Sequence, residues 1–134
     1  SFARKGRAMI EGIVNHRLEP TIRLVIRNAA GGDHEIEAFI DTGFAGALTL
    51  PRSVVAALNL PWSSRSTILL GDGGKVYSDV HAAIILWDGN LRHIRVEVAD
   101  TLPLAGMKLI EGYDVHIEAV AGGRVVMEPL PAKK

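Results

Sequence analysis

Hydrophobic residues recur at every second position along much of this chain. Ile22, Leu24 and Ile26 alternate with Thr21, Arg23 and Val25, and Ile36, Ala38 and Ile40 alternate with Glu35, Glu37 and Phe39. The same beat sets Ile94, Val96 and Val98 against His93, Arg95 and Glu97, and Val115, Ile117 and Ala119 against Asp114, His116 and Glu118. A two-residue period puts one set of side chains on a core face, so each segment predicts a half-buried strand. Gly31-Gly32-Asp33, Asp72-Gly73-Gly74, Asp88-Gly89-Asn90 and Gly122-Gly123 fall between such segments. They suit hairpin connections, because Gly, Asn and Asp tolerate positive φ. Helical signals are brief. Pro51 fits a first helical position, Val54, Val55 and Leu58 form an apolar stripe, and Asn59 with Pro61 ends it. A second short helix is predicted over 107–111, stopped by Gly112. The pattern is that of a small all-β domain with one or two short helices.

Composition narrows the classes of function. At 134 residues the chain fits one domain, and 48% apolar content is enough to build a core. Basic and acidic residues both number 15, so no net charge draws the chain to nucleic acid or anionic membrane. Cysteine is absent, which removes disulfides, thiol nucleophiles and thiolate metal sites. No apolar run approaches the ~18–20 residues that span a bilayer. The basic segment 1–8 lacks the apolar stretch of a signal peptide. It reads as a leftover of expression or a disordered arm, with Met9 the natural start and 9–134 the domain. The cytoplasm is the default location.

One stretch carries chemistry. Ala38-Phe39-Ile40 delivers Asp41-Thr42-Gly43, and the chain turns through Phe44-Ala45-Gly46 before a second apolar strand, Ala47-Leu48-Thr49-Leu50-Pro51. A lone Asp at a strand end is ordinarily a turn or cap residue. Two further elements follow in order: the glycine-rich Leu69-Leu70-Gly71-Asp72-Gly73-Gly74-Lys75-Val76-Tyr77, and Pro103-Leu104-Ala105-Gly106-Met107-Lys108-Leu109-Ile110 ahead of the second short helix.

Taken together, these three elements resemble the single-domain, retropepsin-like aspartic peptidases, in particular a small prokaryotic type with Asp-Thr-Gly-Phe and Leu-Thr-Leu-Pro. The resemblance spans about 10–130. It implies a small closed β-barrel of the acid protease type, with Asp41 catalytic and Thr42 and Gly43 supporting the catalytic loop. Phe44, Gly71, Asp72, Gly73, Gly74, Tyr77, Leu104, Ala105 and Gly106 are implied as flap and substrate-binding positions. No cofactor or metal is implied, and the substrate is a peptide or protein.

Peptide hydrolysis by this route needs two carboxylates that share one proton, one acting as base on water while the other polarises the carbonyl. Two such charges ~3 Å apart repel by about 5 kcal/mol even at an effective dielectric of about 20. The chain holds one Asp-Thr-Gly. Asp100-Thr101-Leu102 lacks the glycine and reads as a turn. A peptidase of this kind must therefore be a homodimer, with one Asp41 from each copy. The strand over 124–128 is available for a dimer sheet.

The chain departs from the retroviral pattern at Phe44, which stands where those enzymes have a small residue. Its ring either narrows the pocket or packs into the core. Ala45, Gly46 and Met107 also replace an acidic residue and its arginine partner. A non-catalytic dimerisation or peptide-binding module of the same fold is therefore the competing expectation, and an unrelated β-barrel binding domain a third. The 71–77 segment reads as a flap or as a plain hairpin, and Tyr77 as a residue aimed at the site or as a half-buried strand tyrosine. His16, His34, His81, His93 and His116 never share ligand spacing. Arg92, Arg95 and Arg124 are too dispersed for a nucleic-acid patch, and Trp62 and Trp87 read as packing residues.

Overall fold

The computed structural model describes residues 9–69 and 71–132; the expectation for 1–8 and the position of Leu70 lie outside them. In chain order the elements are β1 (Ile10–Val14), β2 (Pro20–Arg27), β3 (Asp33–Ile40), β4 (Leu48–Leu50) and α1 (Arg52–Ala57), then β5 (Trp62–Leu69), β6 (Lys75–Trp87) and β7 (Asn90–Val98). β8 (Leu104–Ala105), α2 (Met107–Ile110), β9 (Tyr113–Ile117) and β10 (Arg124–Pro129) complete the chain.

The alternation becomes inward-facing side chains where expected. Ile22, Leu24 and Ile26 of β2, Ala38 and Ile40 of β3, and Ile94 and Val96 of β7 are buried in one core. Leu48, Leu50, Ile85, Leu109, Val125 and Met127 join them. The strands form one sheet in the order β5-β6-β7-β4-β8-β3-β2-β1-β10-β9, and an extra β2–β6 pairing links its two halves. The protein is thus all-β with two short helices. The pairings β2-β3-β8-β4-β7-β6-β2 make a circuit, but its β4 and β8 members have only three and two residues. The result is an uneven ring of pairings and not the regular closed barrel expected.

Local details differ from expectation for physical reasons. Pro51 caps α1 from outside the helix, with φ −61° and ψ 149°, because it still carries the extended backbone of β4. Asn59 ends that helix at a φ of 50°. Asp88 and Gly89 take φ values of 52° and 80°, the positive pair of a tight β6–β7 turn. The apolar face expected of 115–119 is largely uncovered. Val115 sits opposite Met127, but Ile117 is exposed and Ala119 lies past the end of β9. β9 is an edge strand, so nothing packs over its far end. β10 pairs with β1 on one side and β9 on the other, so it offers no free edge for a dimer sheet. No helix among the described residues is long and apolar enough to cross a membrane.

Candidate active site

Strand β3 ends at Ile40 and hands Asp41 to a loop that is woven onto the segment 103–108. β3 and β8 run parallel, with Phe39 beside Leu104 and Ile40 beside Ala105. The Phe39 amide donates to the Pro103 carbonyl at 2.8 Å and the Asp41 amide to the Ala105 carbonyl at 2.9 Å. The return set runs the other way. Gly106 N–H donates to Ala47 O at 2.9 Å, Met107 N–H to Phe44 O at 2.8 Å, and Lys108 N–H to Gly46 O at 3.1 Å. Leu104 N–H donates to the buried Thr49 hydroxyl at 3.0 Å. The Asp loop is therefore fixed by main-chain hydrogen bonds on both sides of its turn.

Within the loop, the Asp41 carboxylate oxygen Oδ1 accepts the Gly43 N–H at 2.9 Å, and Phe44 N–H closes the turn onto Asp41 O at 3.2 Å. This is the self-bonded turn that Asp side chains favour, and it orients the carboxylate. A β-carbon at Gly43 would stand 3.2 Å from that same Oδ1, which crowds it. Asp41 is half-buried, while Thr42 and Gly43 are exposed. The Thr42 hydroxyl makes no hydrogen bond among the described residues.

Phe44 packs within its own loop. β-Carbons placed at Gly46 or Gly106 would fall against its ring, so both glycines are small because the ring lies over them. The expected acid–arginine pair is indeed missing from 45, 46 and 107, yet β7 supplies both kinds of group nearby. The Glu97 carboxylate reaches Gly46. Arg92 donates to Leu109 O at 2.8 Å and to Lys108 O at 3.0 Å, capping α2 from its side. Lys108 pairs with Glu111 at 2.9 Å and thereby holds the Glu111 carboxyl below its ordinary value. Sequence spacing marks His93, Arg95 and Glu97 as one polar face of β7, but nothing in it tells that this face meets the Asp loop. A cleft of about 420 Å³ opens there, lined by Gly46, Ser66, Arg92, Arg95, Glu97 and Lys108 among others.

The structure brings together Asp41, Thr42, Gly43, Phe44, Leu104, Ala105 and Gly106. The 71–77 segment forms the tip of the β5–β6 hairpin, with Leu69 opposite Lys75. Asp72 Oδ1 accepts Gly74 N–H at 2.8 Å, and Gly73 takes a φ of 85° that suits glycine. Among the described residues no hydrogen bond joins this tip to the 41–46 loop. Tyr77 is exposed, with the Arg65 guanidinium 5.7 Å from its ring centre, so it is neither half-buried nor bonded to Asp41. Asp100 is an exposed bend residue. Trp87 is buried, whereas Trp62 is exposed and donates to Asp79 at 3.3 Å. No group of three or more His, Asp or Glu side chains suited to a metal gathers among the described residues.

No protein-family model matches the chain, and no curated protein sequence does. A crystal structure of a retropepsin-like aspartic protease from Rickettsia conorii is similar in three dimensions, with a TM-score of 0.54 and 17% identity. The match covers 98% of this chain and 100% of the other. At that identity the likeness speaks to architecture: the chain has the fold of a retropepsin-like aspartic protease.

Proposed function

We propose that this protein is an aspartic endopeptidase whose active site forms where two copies meet, each contributing one Asp41. The observation that carries the reading is the loop itself. An oriented, half-buried carboxylate stands at the end of β3, in a loop woven onto the 103–108 segment, with Thr42 and Gly43 left exposed. The chain has a single Asp-Thr-Gly, and a two-fold axis through the loops supplies the second carboxylate.

In this arrangement one carboxylate takes a proton from water as the oxygen adds to the peptide carbonyl carbon. The protonated partner gives its proton to the carbonyl oxygen, and collapse of the tetrahedral adduct sends a proton to the leaving amine. The pair titrates as a unit. Thr42 braces the facing loops. The β5–β6 hairpin closes over an extended peptide, which binds by strand-like main-chain hydrogen bonds. The partners are a second copy and a peptide or protein substrate, with no cofactor and no role for nucleic acid or membrane.

The test is cleavage of a peptide library from about pH 3 to pH 7 by protein of verified oligomeric state, with Asp41→Asn as control. Removing the general base should cost at least about 10²–10⁴ in rate. A dimer in which wild type and Asp41→Asn are equally inert defeats the peptidase reading and leaves a peptide-binding module. A strict monomer at high concentration defeats the shared site.

A further inference from the structure

The cleft beside the Asp loop is lined by three basic side chains and one acidic one, so its charges do not cancel. Arg92 is held in the wall by two carbonyl oxygens and by the Trp87 ring, 5.5 Å from its guanidinium carbon, so its charge stands in a fixed place. Lys108 is offset by Glu111. Arg95 and Glu97 project from the same face of β7 into the cleft, and neither has a hydrogen-bond or ion-pair partner among the described residues. Two guanidinium groups therefore face one carboxylate, and that carboxylate is drawn against Gly46. Ser66 of the β5–β6 hairpin adds a hydroxyl to the lining.

A partly enclosed cleft with a basic excess attracts an anion, because its low-dielectric walls concentrate the field. A guanidinium fork matches a carboxylate with two parallel hydrogen bonds. The cleft's volume, about 420 Å³, lies at the small end of the ~300–1,000 Å³ typical of ligand pockets. That is room for a side chain with its stretch of main chain.

We propose that this cleft is a subsite for an acidic side chain, Asp or Glu, of the bound peptide, with the unpaired Arg95 as its direct partner and Arg92 as a fixed charge behind it. The proposal rests on the reading of the chain as a peptide-cleaving enzyme, but its test does not need turnover.

The experiment uses Asp41→Asn protein and fluorescent peptides that differ only by Glu, Gln or Lys at one position at a time, read by anisotropy. Glu at one position should bind about tenfold more tightly than Gln, the scale of a charge-assisted hydrogen bond. Arg95 is exposed, so its replacement should leave the circular dichroism unchanged. Arg95→Gln should erase the preference, and Arg95→Glu should turn it toward Lys. Equal binding of Glu and Gln peptides, a preference that survives both Arg95 variants, or no peptide binding at all overturns the proposal. Wild-type cleavage then separates the two readings. Cleavage without an acidic preference removes the subsite and keeps the peptidase. An Arg95-dependent acidic preference in a protein that cleaves nothing keeps the subsite and removes the peptidase.

Discussion

The Phe44 ring lies over the α-carbon of Gly106. A β-carbon there would stand 2.5 Å from Phe44 Cδ2 and 2.6 Å from Phe44 O, and would also strike the Gly46 carbonyl. The φ of Gly106 is −99°, open to any residue, so the demand for glycine is one of space. At Gly46 the obstacles are side-chain atoms, the Phe44 ring and the Glu97 carboxylate. Gly46→Ala and Gly106→Ala should each cost about 1–3 kcal/mol, the usual range for overpacking. Phe44→Leu should relieve the first and not the second, where backbone oxygens remain in the way. Urea denaturation of the three single and two double variants checks this.

Thr49 is a buried polar residue with a single evident task, accepting the Leu104 N–H at 3.0 Å. Thr49→Val keeps the shape and removes the acceptor. An unpaired amide next to the core should cost about 1–3 kcal/mol, while Thr49→Ser should recover most of it. Hydrogen exchange at the Leu104 amide should accelerate in the Val variant only. Equal protection in both would show that another group satisfies Leu104.

Tyr113 donates its hydroxyl to Asp88 Oδ2 at 2.7 Å and meets Trp87 edge-on at 5.5 Å. Burial first, and the Asp88 hydrogen bond and charge second, raise its pKa above the ordinary 10.0. Because the folded value is the higher one, the unfolded chain gives up this proton first. The contribution to stability is therefore whole below about pH 10 and is lost as pH rises beyond it. Tyr113→Phe should lower stability at pH 7 by about 1–3 kcal/mol and flatten the alkaline decline. Denaturation midpoints between pH 8 and pH 11 measure both effects, and an unchanged alkaline slope would remove Tyr113 as its cause.

Arg92 bridges two carbonyls at the end of α2 and stacks on Trp87, a geometry that needs a planar fork. Arg92→Lys keeps the charge but reaches only one acceptor at a time. It should cost about 1–2 kcal/mol, since one hydrogen bond and the stacking are lost. On the proposed reading, peptide cleavage should fall as well, because α2 follows directly on Gly106. A fully stable Lys variant would show that charge alone suffices.

Much of the fold is legible in local pattern. The alternation of Ile22, Leu24 and Ile26 states which face of β2 is buried, because a strand's period leaves no other choice. The Asp41 loop and the Leu104-Ala105-Gly106 element are legible as a pair, since each fits a known arrangement only with the other. What escapes is whatever depends on partners distant in the chain. The Trp62-Ser63-Ser64-Arg65-Ser66-Thr67 stretch has no apolar rhythm and becomes strand only by pairing with β6. Ile117 alternates correctly, yet is exposed because no element reaches the end of β9. Arg95 and Glu97 lie on the polar face of β7, Arg92 falls in phase with buried Ile94 and Val96, and only the tertiary structure sets all three beside the loop. The sequence allows Phe44 a place in the pocket or in the core; the half-buried ring lies instead over Gly46 and Gly106 of its own loop.

The thirteen-residue β6 gives the hairpin a mechanical character. Its pairing with β7 begins at Val80, a side chain with 0% exposure, and its pairing with β2 occupies 84–86. From 75 to 79 its main chain pairs with β5 alone, although the Ser78 hydroxyl donates to Val98 O at 3.1 Å and Asp79 meets Arg52 at 3.6 Å. The hairpin is thus a cantilever, clamped at its root from Val80 to Ser78 and overhanging over 75–77 by about 10 Å at the usual rise of a strand. The reach of the arm is therefore set between Val80 and Ser78, away from the glycines that shape its end.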